Sequence, residues 1–269
     1  MAPRRQAAAA VSGDGKSWYL INATPDVTVQ LGRWSELHPA EGVRHTPLKG
    51  VLLTDGELDH TLGLLHLREG TGWTLYATAA VARMLRDSFP VASLLRRYAD
   101  TPLYEANLDE PLLLDPDSEP FQIRWLETGQ DQPLYSGSAE KVAGAVAALV
   151  IQHVTSGRSV VYAPGVSTLT TALHEAIAAA EAVWFDGTFW TPDEMQQLTG
   201  AGRSAWDMGH VPMAGPEGSA QWLAKLPVKH RRFIHINNTN PVLDPTSEQR
   251  KQIRELGLDL AEDGDVWKL

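Results

Sequence analysis

Short apolar runs that end in turn residues alternate along this chain with segments whose apolar residues recur at helical spacing. Residues 50–54 form a continuous apolar run followed by an acidic turn, which is typical of a fully buried strand. Similar runs predict strands at 74–77, 121–126, 146–152, 159–162, 182–185 and 231–236. Helical spacing predicts helices at 61–69, 79–86, 169–180, 218–225 and 246–256. This alternation predicts an α/β fold, in which helices cover buried sheet faces.

The first strands of the chain are predicted to form a hairpin. Residues 8–11 and 18–22 are apolar, and the segment between them contains Ser-Gly-Asp-Gly-Lys, a strong turn signal.

Residues 100–120 are rich in Pro, Asp and Glu and are expected to form an insertion or a lid. Because no repeat or low-complexity linker divides the chain, we expect a single domain over 1–269.

Charge and composition exclude several classes of protein. Among 269 residues, 23 are Lys or Arg and 33 are Asp or Glu, so the net charge is −10. Binders of nucleic acid or of acidic membranes need a basic face, so we expect neither partner. No apolar run approaches the roughly 20 residues of a membrane span, and no signal peptide is recognisable, so we expect a cytoplasmic protein. The absence of Cys excludes a disulfide or a thiolate metal site.

Polar side chains follow three of the predicted strands, at the carboxyl ends where α/β proteins bind ligands. These clusters are Asp55-Gly-Glu-Leu-Asp-His60, Asp186-Gly-Thr188 and His235-Ile-Asn-Asn-Thr-Asn-Pro241. Each cluster also has an ordinary structural explanation, since acidic residues favour helix starts, a strand His is often a core residue, and Asn is common in turns. Considered together on one α/β frame, they indicate a metal site built from His and carboxylate side chains.

The segment Thr54–His60 resembles the first motif of the metallo-β-lactamase superfamily, HxHxDH, because it follows a buried strand and precedes a helix. Within that superfamily the chain resembles the PqqB family of pyrroloquinoline quinone (PQQ) biosynthesis proteins. The motifs that carry this resemblance are Asn22-Ala-Thr-Pro-Asp-Val27, Leu53-Thr-Asp-x-x-x-Asp-His60, Gly63-Leu-Leu-x-Leu-Arg-Glu-Gly70, Tyr162-Ala-Pro-Gly165, Asp186-Gly-Thr-x-Trp190, Met208-Gly-His210 and His235-Ile-Asn-Asn-Thr-Asn-Pro-Val-Leu-Asp244. The resemblance implies an αββα sandwich.

Compared with the two-zinc hydrolases of this superfamily, the chain lacks the ligands of one metal site. Two positions that are normally His are occupied by Asp55 and Glu57. The sequence has no His between His66 and His153, so the usual third ligand of that site has no obvious source. Gly165 stands where the resemblance places the bridging Asp. The ligands that the resemblance retains for the second site are Asp59, His60 and His235.

Two His and one carboxylate with open coordination positions are the ligand pattern of non-haem Fe(II) oxygenases. Hydrolysis between two metal ions would need the missing ligands. We therefore expect a mononuclear Fe(II) site that uses O2, with Zn bound by the same ligands in purified protein. The resemblance implies that the substrate is a cross-linked Glu-Tyr precursor of PQQ, whose tyrosine ring is hydroxylated.

Three other interpretations stay open at this point. The first is a carrier that assists transport of PQQ or its precursor, which needs a pocket but no redox metal. The second is a residual zinc hydrolase. The third is an inactive chain with an open sheet edge, because family members usually carry an N-terminal segment with a zinc-binding Cys cluster that we expect to be absent here. A homodimer is a further partner arrangement that stays open.

The other polar residues of the clusters are assigned roles around this metal. Asp55 and Glu57 are expected to orient ligands or accept protons, and Glu57 can also be a fourth ligand. His210 is expected to act as an acid or base or to hydrogen-bond the phenol, with a surface His as the alternative. The residues expected to bind the precursor are Asp186, Asn237, Asn238 and Asn240. Loop stabilisation is the alternative role for these four, and Asp186 can also fix a ligand His.

Overall fold

Two β-sheets stack face to face in the computed structural model, which describes residues 4–40, 42, 45–69, 72–200 and 202–269. The strands of the first sheet, which neighbour one another in chain order, are β1 (Ala9–Val11), β2 (Trp18–Ile21), β3 (Leu48–Leu52), β4 (Thr74–Thr78) and β5 (Leu103–Ala106). Those of the second sheet, also in chain order, are β6 (Leu112–Leu114), β7 (Phe121–Gly129), β8 (Val146–His153), β9 (Ser159–Ala163), β10 (Ala182–Asp186), β11 (His230–Ile234) and β12 (Asp259–Leu260).

Eight α-helices connect the strands in the part of the chain that the structure describes. They are α1 (Val27–Arg33), α2 (Leu58–Thr61), α3 (Ala79–Asp87), α4 (Val91–Ala99), α5 (Thr171–Ala179), α6 (Glu194–Thr199), α7 (Ser219–Ala224) and α8 (Glu248–Glu255). Short 3-10 helices cover Ser35–Leu37, Leu62–Leu67, Leu134–Ser136, Trp206–Met208 and Pro241–Leu243.

Both sheets contain parallel and antiparallel strand pairs. The predicted hairpin is confirmed, because β1 pairs with β2 antiparallel, with Ala9 opposite Ile21. Strands β2 to β5 are parallel to one another, as are β9 to β12. Strands β6 to β9 form an antiparallel meander whose long apolar strands supply much of the core. The parallel strands place their carboxyl ends along one edge of each sheet, where the polar clusters lie.

The hydrophobic core has three main layers of contacts. Between the sheets, Ile21 and Leu52 of the first sheet belong to one cluster with Trp125 and Leu149 of the second. Helices α3 and α4 cover the outer face of the first sheet. Helices α5, α7 and α8 cover the outer face of the second sheet, where Phe233 is fully buried. This arrangement confirms the expected αββα sandwich.

Two predicted elements end or begin elsewhere. The predicted strand 231–236 ends at Ile234, and His235 turns out of the sheet with a left-handed backbone, φ +55°. The predicted helix 61–69 begins earlier, at Leu58, and continues as a 3-10 helix after one turn. The first departure places His235 at a bend just after the strand, whereas the second places His60 inside α2.

The segment 100–120 is not an insertion or a lid. It contains β5 and β6, which form one edge of the first and of the second sheet, and so connects the two halves of the sandwich. Helices α1, α4 and α6 were not predicted; the signal for α4 was present, because its buried residues Val91, Leu95 and Ala99 recur at helical spacing. Gly70 of the third family motif lies outside the described residues.

In the part of the chain that the structure describes, no helix has the length and apolar character needed to cross a membrane.

Candidate metal centre

His60 is held in one orientation by a buried carboxylate. Asp55 follows β3 and is almost fully buried, and both of its oxygens lie within 2.9 Å of Nδ1 of His60. Asp55 also accepts hydrogen bonds from the hydroxyl of Thr54 (2.7 Å) and the backbone N–H of Glu57 (2.9 Å). The Nδ1 proton of His60 is therefore directed at Asp55, and Nε2 is the ring atom that faces the site.

Nε2 of His60 is buried and has no hydrogen-bond partner. An unsatisfied buried polar atom is costly, and a metal ion is one partner that satisfies it. Ligand atoms of Asp59, His60 and His235 all lie within 4.8 Å of one another, which is close enough for one ion to contact all three. The His60 and His235 ring centroids are 4.9 Å apart. These residues thus fit a divalent metal with two imidazoles and one carboxylate.

The electrostatics of this site favour a cation. Burial opposes the ionised form of Asp59, but the hydrogen bond with His235 and the charge of His60 hold the pKa of Asp59 below its usual range. Burial also opposes the charge of His60, yet Asp55 raises the pKa of His60 to about 9. Although Glu57 is an exposed residue, desolvation of its carboxylate and the charges of Asp55 and Asp59 raise its pKa to about 7. A bound cation would relieve this crowding of carboxylates.

A second buried carboxylate, Asp186, organises the other half of the site. It ends β10, has no exposed surface, and accepts hydrogen bonds from the backbone N–H groups of Val166 (2.9 Å) and Thr188 (3.0 Å). Its Oδ2 lies 2.6 Å from Nδ1 of His210. Burial opposes the charge of His210, but Asp186 raises the pKa of His210 above its ordinary value. Because Asp186 is enclosed, it fixes a His and a loop, and the predicted contact with the precursor is not available to it.

His210 is not a surface residue. Its side chain is mostly buried and its ring stacks on that of His235, with centroids 5.5 Å apart and an interplanar angle of 27°. The set Asp186, His210 and His235 is also compact enough to be considered as a metal site. However, the hydroxyl oxygen of Thr188 lies within 3.2 Å of a side-chain atom of each, so protein already fills the space between them.

The Asn cluster is mainly a turn. Asn240 is buried, its amide donates to the carbonyl of Gly187 (2.9 Å), and its Oδ1 accepts from the N–H of Val242 (3.1 Å). The side chain of Asn240 therefore has no polar atom left for a precursor, contrary to the prediction. Asn237 is half-buried, and its Oδ1 accepts a hydrogen bond from the N–H of Asn238. Asn238 is the member of the three whose side chain is exposed to solvent.

Two residues of the site were missed by the sequence analysis. Thr188 connects Asp186 to His235, and its place in the Asp-Gly-Thr motif was the available signal. Glu194 is buried at the start of α6 and accepts hydrogen bonds from the N–H of Trp190 (2.6 Å) and the hydroxyl of Thr239. It ties together the loops that follow β10 and β11, and no local pattern pointed to it.

Solved structures with the same fold include one with high similarity. A crystal structure of Zn(2+)-bound PqqB from Methylobacterium extorquens matches with a TM-score of 0.90 and 35% identity, covering 100% of this chain and 89% of that chain. A diphosphatase from the PhnP family matches with a TM-score of 0.60 and 19% identity, covering 93% of this chain and 78% of that chain, which shows the fold alone.

Sequence comparisons agree with the structural ones. The family profile described as beta-lactamase superfamily domain matches residues 17–236. Coenzyme PQQ synthesis protein B of Methylobacterium nodulans is 38% identical over 99% of this chain and 88% of that protein. The protein of the same name from Methylococcus capsulatus is 35% identical over 97% of this chain and 86% of its own length. With the fold, the His and carboxylate set and these matches in agreement, the chain belongs to the PqqB family of the β-lactamase superfamily.

Proposed function

We propose that this chain acts in PQQ biosynthesis as an Fe(II)- and O2-dependent hydroxylase of the tyrosine ring in a Glu-Tyr-type precursor. One observation carries the proposal. Asp59, His60 and His235 form a set of one carboxylate and two imidazoles, and Nε2 of His60 is buried without a partner. This ligand set is typical of mononuclear Fe(II) oxygenases. The relatives named coenzyme PQQ synthesis protein B support the pathway.

The reaction replaces a ring C–H bond of the precursor by C–OH, with one oxygen atom taken from O2. The second oxygen atom leaves as water, which requires two protons and two electrons from an added reductant. The bound metal would supply the activation of O2 that this chemistry needs. The residues of the chain supply ligand orientation, precursor binding and proton transfer.

Four side chains have distinct tasks in the proposed reaction. Asp55 keeps the proton of His60 on Nδ1, so that Nε2 is free to bind. His210, whose Nδ1 is held by Asp186, is positioned to hydrogen-bond the phenol oxygen through Nε2. Glu57 is exposed beside Asp55 and Asp59, and its pKa of about 7 suits a group that accepts a proton near neutral pH. Asn238 has an exposed side chain available to a precursor carboxylate.

The test is metal content and oxygen uptake after anaerobic loading with Fe(II). The wild type is compared with His60→Ala, His235→Ala and the control His38→Ala, which removes an exposed His from another part of the chain. We expect about one iron ion per chain in the wild type and the control, and almost none in the two site variants. Oxygen uptake with ascorbate should rise on addition of a cross-linked Glu-Tyr precursor, and mass spectrometry should show the hydroxylated ring.

Other outcomes contradict the proposal in distinguishable ways. Precursor-independent oxygen uptake that is equal in wild type and His235→Ala would reflect iron outside the site. A protein that retains only zinc and cleaves an ester or a lactam would be a hydrolase. A protein that binds PQQ or its precursor with no metal would be a carrier.

A further inference from the structure

The hydroxyl of Thr188 lies at the centre of a buried hydrogen-bond network. Its oxygen is 2.6 Å from Oδ1 of Asp186 and 2.8 Å from Nδ1 of His235. The backbone carbonyl of His235 lies 2.9 Å away, and Nδ1 of His210 lies 3.2 Å away. Thr188 is itself buried. A hydroxyl donates only one proton but can accept hydrogen bonds through its lone pairs. Thr188 can therefore be the donor in only one of these four contacts.

The proton positions in this network follow from the acceptors. Asp186 is an ionised carboxylate and is the closest neighbour of the Thr188 hydroxyl, so the hydroxyl donates to Asp186. The Nδ1 proton of His210 goes to the other oxygen of Asp186, at 2.6 Å. The oxygen of Thr188 then accepts a hydrogen bond from Nδ1 of His235.

We propose that Thr188 is a positioning residue for the metal site, which keeps a proton on Nδ1 of His235 and thereby leaves Nε2 free to bind the metal. Nε2 is the atom that faces Asp59, at 3.0 Å from its Oδ2. This inference rests on the proposed function only in that it requires the three-residue set to hold a divalent ion. It does not depend on which ion is bound or on O2 chemistry.

Gly187 and Thr188 also form backbone hydrogen bonds on both sides of His235. The N–H of Gly187 donates to the carbonyl of Ile234 (2.9 Å), and the N–H of Asn237 donates to the carbonyl of Thr188 (3.1 Å). His235 has left the strand at φ +55°, so strand geometry no longer sets the direction of its ring. The hydrogen bond from Nδ1 to Thr188 therefore orients the imidazole together with its stacking on His210 and the contact of Nε2 with Asp59.

The two metal-binding His residues are thus supported in different ways. His60 is held by direct contact with the buried carboxylate of Asp55. His235 is held by the hydroxyl of Thr188. That hydroxyl is in turn fixed by its hydrogen bond to the buried carboxylate of Asp186. Removing the Thr188 hydroxyl separates His235 from Asp186 without changing any ligand.

The test compares Thr188→Val, which has a similar shape and no hydroxyl, with Thr188→Ser, which keeps the hydroxyl. Affinity for Zn(II) is measured by competition with a chromophoric chelator on the full chain. We expect Thr188→Val to bind Zn(II) about 10- to 100-fold more weakly than wild type, and Thr188→Ser to stay within about threefold. Urea unfolding of the metal-free variants separates this effect from a loss of stability.

A second measurement reads the proton position directly in the wild type, so the inference can be tested even where Thr188→Val folds poorly. Histidine side-chain 15N NMR of the Zn(II)-loaded protein should show His235 protonated at Nδ1 and bound through Nε2. Binding through Nδ1, or equal Zn(II) affinity in wild type and Thr188→Val, would overturn the role of Thr188 while leaving the metal site intact. A wild type that binds no divalent ion would refute the proposed function and this inference together.

Discussion

Oδ2 of Asp59 lies 3.0 Å from Nε2 of His235, although the two residues are 176 positions apart and belong to opposite halves of the sandwich. Asp59 lies on α2, just after β3 of the first sheet, and His235 directly follows β11 of the second. The proposed metal site therefore exists only when the two sheets are packed together. A bound ion would connect the two halves of the chain.

The first prediction is that a divalent ion stabilises the folded chain. Zn(II) at about 100 times its dissociation constant should add about 2.7 kcal/mol to the free energy of unfolding, because the unfolded chain has no assembled site. Thermal unfolding with and without Zn(II) measures this gain. Asp59→Ala should abolish it, whereas Asp117→Ala, on the exposed surface of another loop, should keep it. An equal gain in both variants would show that the ion binds elsewhere.

Asp55→Asn is predicted to weaken metal binding although Asp55 is not itself a ligand in the proposed set. The amide keeps one acceptor for Nδ1 of His60 but loses the negative charge that holds the imidazole in place. We expect a loss of about 10- to 100-fold in Zn(II) affinity, measured by chelator competition. Asp14→Asn alters a hydrogen-bonded Asp in a distant turn and should leave the affinity unchanged. Unchanged affinity in Asp55→Asn would remove Asp55 from the metal site.

Glu57 is predicted to make the stability of the metal-free protein depend on pH. Its pKa rises on folding from 4.5 to about 7, so the folded state favours the protonated form. The stabilisation from Glu57 is complete below the unfolded pKa and is lost as the pH rises through the folded pKa. Glu57→Gln imitates the protonated form, so its stability relative to wild type should increase between about pH 5 and about pH 8.

Urea unfolding of both metal-free proteins at the two pH values measures this difference. Glu36→Gln changes an exposed Glu far from the site and should show no such trend. A relative stability of Glu57→Gln that is flat or falls with pH would contradict the raised pKa.

Glu194 is predicted to be important for stability because it joins two loops of the site. Glu194→Ala leaves the N–H of Trp190 and the hydroxyl of Thr239 without their buried acceptor. We expect a loss of about 1–3 kcal/mol in the free energy of unfolding. Glu194→Gln keeps an oxygen for Trp190 and should lose much less. Equal losses in the two variants would mean that packing, and not hydrogen bonding, is the contribution of Glu194.

Gly63→Ala is predicted to destabilise the first half of the sandwich. A Cβ at Gly63 would lie 2.2 Å from the carbonyl oxygen of Thr24 and 2.6 Å from that of Ala23, and a backbone contact cannot be relieved by a rotamer change. We expect a loss of about 1–3 kcal/mol, measured by urea unfolding. The matched control is Gly32→Ala on α1, where a Cβ meets nothing within 4 Å and should be neutral or slightly stabilising. Similar stability of both variants would show that the backbone moves apart at low cost.

Much of the fold follows from local sequence patterns. The turn between β1 and β2 and the apolar runs of β3, β8 and β9 depend on residues within a few positions, which is why their places were predicted closely. Asp59 and His60 are adjacent, and Asp55 is five positions before His60, so this half of the site is also local. The edge strands β5 and β6 were missed because they are short and the segment 100–120 around them is rich in Pro, Asp and Glu.

The sequence by itself determined the α/β class, the order of most strands and the chemical types of the proposed ligands, because these properties depend on nearby residues. Tertiary structure alone decided which polar groups from distant parts of the chain meet. Parallel pairing places Asp186 beside Ile234, so the loops that follow β10 and β11 run together and the Thr188 hydroxyl reaches His235. The same packing encloses Asn240. Contacts of this kind depend on strand register and sheet stacking, which act between residues dozens of positions apart and leave no periodic signal in the chain.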